Sequence, residues 1–149
     1  MAILKETEIH HNVLGSIRFD DGKGDHKTRL DDYEPYWVVR PMGWMSNGIE
    51  FIISGDSSGP APDSLDRAIL AFNSLEKIEK EGRDLIRPKI INGASPDHNV
   101  THFEANLLWI DCQQINTIAV FNWEGYIYVR WDATLNETNN IINLQEQTW

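Results

Sequence analysis

The sequence predicts an α+β fold: an antiparallel β-sheet with one principal amphipathic helix packed on one face, in a single domain spanning residues 1–149. Three observations predict it. Short runs rich in β-branched and aromatic residues alternate with breaks rich in Gly, Pro and Asp. One longer run carries apolar residues at three- and four-residue steps. No repeat, linker or low-complexity tract divides the chain, whose length suits a single core.

Residues 12–19 read as a strand ending at Asp20-Asp21-Gly22-Lys23-Gly24, where Gly supplies the positive φ of a tight reversal. Residues 36–40, closed by Pro41, and residues 48–54 read as two more strands around an apolar loop at 42–47. The Gly- and Pro-rich stretch 55–62 is a connection. Asp63 or Ser64 then serves as an N-cap, and Asp66 sets negative charge against the positive helix end. Leu65, Ala68, Ile69, Phe72, Leu75 and Ile78 form one apolar stripe, which packs on the sheet. Gly82 weakens this helix, and Pro88 stops it near Ile86. In the second half, 101–111, 117–122, 125–132 and 139–144 read as strands, with a hairpin loop over 122–125.

Composition narrows the function. Lys plus Arg is 13 and Asp plus Glu is 23, for a net charge of −10. Such a field repels nucleic acid and anionic membranes and draws in cationic partners. The acids are concentrated: Asp20, Asp21, Asp25, Asp31, Asp32 and Glu34 face only Lys23, Lys27 and Arg29 between Phe19 and Glu34. No apolar run reaches membrane-spanning length, the first residues lack a secretory pattern, and Cys112 is the one cysteine. The expected home is the cytoplasm.

Motifs for catalysis are sparse. His98 and His102 are four apart with Glu104 beyond, a spacing that shares a metal ion on a helix. Pro96 and the Val100-Thr101 pair instead favour a loop entering a strand, where the two rings would stand about 13 Å apart. A small metal-dependent hydrolase built on His98 and His102 therefore stays as the alternative reading, beside a structural subunit. His10, His11 and His26 lack a diagnostic spacing. Cys112 has no nucleophile signature, and there is no Gly-x-Ser-x-Gly, P-loop, dinucleotide fingerprint or complete calcium loop. No cofactor is expected.

Surface chemistry remains. The chain has six tryptophans. Trp109 and Trp131 fall inside strands, as core residues do. Trp44 and Trp123 fall in loops beside Gly, with Glu124 next to the latter, and are divided evenly between core and interface. Aromatic anchors framed by acids suit a tight contact with a basic partner.

The layout resembles the small acidic, tryptophan-rich immunity proteins that bacteria encode beside polymorphic or contact-dependent toxins. The resemblance lies in four segments in order: Leu14-Gly-Ser-Ile-Arg-Phe-Asp20, Gly48-Ile-Glu-Phe-Ile-Ile-Ser54, the amphipathic helix over 65–86, and the aromatic hairpin ending Tyr126-Ile-Tyr-Val-Arg-Trp131. It implies a binding protein without catalytic residues, a monomer or small homo-oligomer that neutralises a cognate toxin, a basic effector such as a nuclease. The acids Asp20, Asp21, Asp25, Asp31, Asp32, Glu34 and Glu124 would steer the toxin in, and Trp44 or Trp123 would anchor it.

Overall fold

A computed structural model of the chain describes residues 8–21, 35–41, 48–93, 103–124 and 128–148. Among these, nine strands form one mixed, mostly antiparallel sheet accompanied by two helices. The strands are β1 (Glu8–His11), β2 (Gly15–Asp20), β3 (Tyr36–Val39), β4 (Glu50–Asp56), β5 (Gly59–Pro60), β6 (Asn106–Cys112), β7 (Thr117–Glu124), β8 (Tyr128–Leu135) and β9 (Ile141–Thr148). The helices α1 (Pro62–Asn73) and α2 (Leu75–Gly93) lie between β5 and β6 in the chain. The sheet runs β1-β2-β3-β4-β6-β7-β8-β9, with the short β5 paired to β4.

One pairing departs from the antiparallel expectation. β4 and β6 run parallel, Phe51 opposite Ile110 and Ile53 opposite Cys112. Parallel neighbours cannot be joined by a hairpin, and here the chain between them is long enough to hold both helices. The other main-path pairs are antiparallel, down to Trp123 opposite Val129 and Ala133 opposite Leu144.

Alternation sorts the strands into two unlike faces. Trp37, Val39, Phe51, Ile53, Ile110, Ala119, Phe121, Trp131 and Ala133 point to one side, and all are buried in a single cluster with Ala68 and Ala71 of α1 and Ile78, Ile86 and Ile90 of α2. The other face carries Arg18, Glu50, Asp111, Asn122, Arg130 and Asp132, with Val38, Ile52, Val120 and the half-buried Trp109, which the sequence placed in the core.

The helical segment differs from the sequence reading in three ways. It is two helices: Ser74, at φ −112° and ψ 18°, breaks the first, and its carbonyl accepts from the Ile78 N–H 3.0 Å away to begin the second. Asn73 and Ser74 compete for backbone hydrogen bonds and weaken a helix at that point. The N-cap is Ala61, with Pro62 in the first turn, while Ser64 is buried. Last, α2 continues through the exposed Pro88 to Gly93. Its stripe Ile78, Gly82, Ile86 and Ile90 keeps a four-residue step across the proline, so burial on both sides of Pro88 outweighs the one lost bond.

Gly82 shows why a poor helix former sits in mid-helix. A Cβ there would overlap the ring of Phe121 on β7, so the missing side chain lets α2 approach the sheet.

β1 was not legible as a strand. Residues 12–14 form the turn into β2, Gly15 adopts φ +81°, and His11 Nδ1 accepts from the backbone N–H groups of Val13 and Leu14 at 3.1 and 3.2 Å.

Candidate binding surface

The strand directions gather one set of chain positions at each end of the sheet. Asp20 at the end of β2 pairs with Tyr36 at the start of β3, which pairs with Ser54 near the end of β4. Ser54 accepts from the Ala61 N–H at 2.7 Å and so brings the start of α1 to the same end. The β6–β7 turn and the β8–β9 turn close there too, with Cys112 opposite Thr117 and Thr117 opposite Leu135.

This end is acidic. Asp20 and Asp21 lie on one flank, Asp56 ends β4, Asp63 and Asp66 open α1, and Glu137 stands in the β8–β9 turn; all but the half-buried Asp20 are exposed. Among the described residues, two bases that reach this end are held by carbonyls. Arg67 Nη2 donates to the Ile115 carbonyl at 2.7 Å, and Lys77 Nζ to the Thr138 carbonyl at 2.9 Å. Their charge offsets part of the field, while their side chains fix the two turns.

An apolar residue projects from the same end. Gln113 N–H donates to the Asn116 carbonyl at 2.9 Å and closes a four-residue turn with Ile115 in it, 87% exposed. On the other side of Arg67, one helical turn along α1, Leu70 is 52% exposed. An exposed branched side chain on a hydrogen-bonded turn, at the sheet end that also bears these acids, has the make-up of an interface core with a polar rim.

Two shallow concavities flank it. One, of about 490 Å³, lies between Pro35, the Gly55–Pro60 turn and Gln114. The other, of about 320 Å³, is lined by Asp63, Asp66, Arg67, Leu70, Asn136 and Glu137. In the second, Asn136 is rigid, since its Oδ1 accepts from the N–H groups of Thr138 and Asn140 at 3.0 and 2.9 Å.

The residues named from sequence are distributed unevenly over this geometry. Asp20 and Asp21 sit at the acidic end, whereas Glu124, exposed at the end of β7, lies at the opposite end of the sheet, in register with Tyr128. Trp123 is a correction: it belongs to β7 rather than to a hairpin loop, and at 4% exposure it is part of the core, opposite Val129. Asp25, Asp31, Asp32, Glu34, Trp44, His98 and His102 lie outside the described residues. Of their neighbours in the chain, Asp21 and Pro35 bound the 22–34 stretch at the acidic end, and Pro41 and Gly48 bound the Trp44 stretch at the Glu124 end.

Sequence reasoning missed Ile115, Leu70, Asp56, Asp63, Asp66 and Glu137 as one group. They come from β4, α1 and two turns distant in sequence, and only strand direction collects them.

Reactive chemistry is sparse among the described residues, which include no cluster of three or more His, Cys, Asp or Glu side chains able to hold a metal ion. Cys112 is fully buried, and burial, together with the neighbouring Asp111 charge, pushes its thiol well above its ordinary range and keeps it protonated. No described helix is long and apolar enough to cross a membrane. No family model matches the chain, and neither a curated protein nor a solved structure matches it.

Proposed function

We propose that this chain is an immunity protein, an antitoxin that binds and neutralises a cognate bacterial toxin in the cytoplasm, the toxin being a basic effector such as a nuclease. In this reading the two helices form one layer on the apolar face of the sheet. The β-ends and the first turn of α1 present the docking surface.

The single observation that carries the reading is Ile115, exposed on a fixed turn at the end of the sheet that also bears Asp20, Asp21, Asp56, Asp63, Asp66 and Glu137. Acids at the rim raise the association rate for a cationic groove, and an apolar anchor at the centre slows dissociation. The arrangement needs no cofactor and no catalytic side chain. Its anchor differs from the tryptophans favoured by sequence, because Trp123 is spent in the core.

The test is capture of the partner from host lysate with tagged chain, followed by salt-gradient elution and by co-expression with the captured protein. The expected result is one stoichiometric, basic partner whose toxicity the chain suppresses and whose affinity falls steeply with ionic strength. Ile115→Ser should speed dissociation, and Asp20→Asn with Asp21→Asn should slow association. A partner bound equally well at low and high salt, or one whose toxicity persists under co-expression, would sink the proposal.

A further inference from the structure

Among the described residues β9 closes one edge of the sheet, and it carries little charge for an exposed strand. Its eight residues, Ile141–Thr148, contain one charged side chain, Glu146, in a protein of which 24% is charged. An edge strand directs the N–H and C=O of about every second residue outward, and such edges are commonly guarded by Lys, Pro or a covering element. β9 has neither Lys nor Pro. Among the bonds at its edge, the Ile141 N–H is taken by Glu81 Oε1 of α2 at 2.7 Å, which fixes only the start of the strand. Ile142, at the bulge, is 64% exposed, and Asn143, Gln145 and Glu146 are exposed beyond it.

We propose that β9 is a self-association edge, which pairs antiparallel with β9 of a second copy about a two-fold axis at Leu144. The pairing with β8 puts Asn143, Gln145 and Gln147 on one face, opposite Thr134, Asp132 and Arg130, and Leu144 and Glu146 on the other. A two-fold at Leu144 then sets Leu144 against Leu144 of the copy on the core side, so the half-buried edge of each core is covered by the other. On the far face Gln145 meets Asn143 twice, amide to amide.

Alternative registers fit less well. An axis at Glu146 would oppose two carboxylates, which disfavours it. An axis at Gln145 would require the Gln147 amide for Asn143, yet that amide is already spent: it accepts from Arg130 Nη2 at 3.2 Å and donates to Asp132 Oδ2 at 2.8 Å. Pairing β9 with the other sheet edge, β1, is heterologous and does not close on itself. The Glu8 of β1 also already engages Ser16 and Arg18.

Charge favours this occupant. Each copy carries −10, so a dimer must keep its acids apart. Antiparallel pairing turns the two acidic ends in opposite directions, because each copy's β9 starts at its own acidic end. The strand in contact carries one charge in eight residues, and the surface at Ile115 stays open on both copies.

The experiment is sedimentation equilibrium of the full chain over a wide concentration range, on wild type and on variants at the two exposed amides. Wild type should reach a closed dimer. Asn143→Lys with Gln145→Lys sets like charges opposite one another twice and should raise the dimer Kd about tenfold or more. Asn143→Glu with Gln145→Glu should do the same. Asn143→Glu with Gln145→Lys sets unlike charges together and should dimerise at least as well as wild type. A mixture of the two like-charged variants should form the heterodimer. Circular dichroism checks that each variant is folded. A wild type that stays monomeric overturns the proposal, as do open polymers or a dimer unmoved by the doubly lysine-substituted variant.

Discussion

Arg130 and Asp132 stand two residues apart on the same face of β8 and form a two-pronged ion pair, Nε to Oδ1 at 2.9 Å and Nη2 to Oδ2 at 3.0 Å. Both are buried, at 9% and 5% exposure, and Gln147 of β9 bridges them from the neighbouring strand. The planar guanidinium matches the carboxylate, and the Gln147 amide bonds to both, so the two charges are held together away from water. Removing one partner leaves the other charge buried alone. Asp132→Ala should therefore cost about 3–5 kcal/mol in urea unfolding. The pair Arg130→Met with Asp132→Leu should recover most of that loss, because no buried charge then remains. A double variant as unstable as the single one would show that the pair is not the source of the cost.

Gly82 on α2 and Phe121 on β7 are in a comparable position of mutual dependence. A methyl group at residue 82 would overlap the ring, and the ring is enclosed by the core and has nowhere to go. Gly82→Ala should destabilise by about 1–3 kcal/mol despite the better helix propensity of Ala. Gly93, which has open space around it at the end of the same helix, is the internal control. Gly93→Ala should be close to neutral in the same melt, and the contrast isolates overpacking from backbone effects.

Most strands were legible in the sequence, because β-branched and aromatic runs broken by Gly, Pro and Asp report the sheet directly. β2, β3, β4, β6 and β7 fall within a few residues of the expected ranges. What was not legible depends on tertiary placement. Pro88 looked like a stop, but Ile86 and Ile90 bury on either side of it and hold the helix together. Gly82 looked like a weakness, and its reason lies in Phe121, thirty-nine positions away. The acidic end is half visible: Asp20 and Asp21 belong to a local acidic run, while Asp56, Asp63, Asp66 and Glu137 need the strand directions to join them. Trp123 looked like a loop residue because Gly125 follows closely, yet β7 continues to Glu124 and carries the ring into the core.

Pro88 gives a prediction of opposite sign. It lies exposed inside α2, lacks an N–H for the Asp84 carbonyl, and is tolerated only because its flanks are buried. Pro88→Ala should restore the missing bond and relieve the ring contact with the preceding turn, and so raise stability by about 1–3 kcal/mol. Thermal unfolding at neutral pH reads this directly. A variant with an unchanged or lower midpoint would mean that the helix has adapted fully to its proline.

Cys112 ties stability to alkaline pH. Its thiol is wholly buried in β6, and both burial and the Asp111 charge raise its pKa in the folded chain far above the ordinary value of 9.0. Unfolded, the thiol ionises near that ordinary value; folded, it does not. Below pH 9 both states hold the proton and the group contributes no slope. Above it the unfolded state has lost a proton that the native state keeps, so stability must fall as pH rises, by about 1.4 kcal/mol per pH unit. Cys112→Ala loses packing at every pH but has no thiol to ionise, so its stability should fall less steeply above pH 9. The difference between the two urea-unfolding curves, followed from about pH 8 to about pH 10.5, should close as pH rises. Parallel curves would show that the buried thiol is not coupled to folding. Thiol labelling provides the kinetic counterpart: reagent should reach Cys112 only at the rate of opening, and added urea should accelerate it.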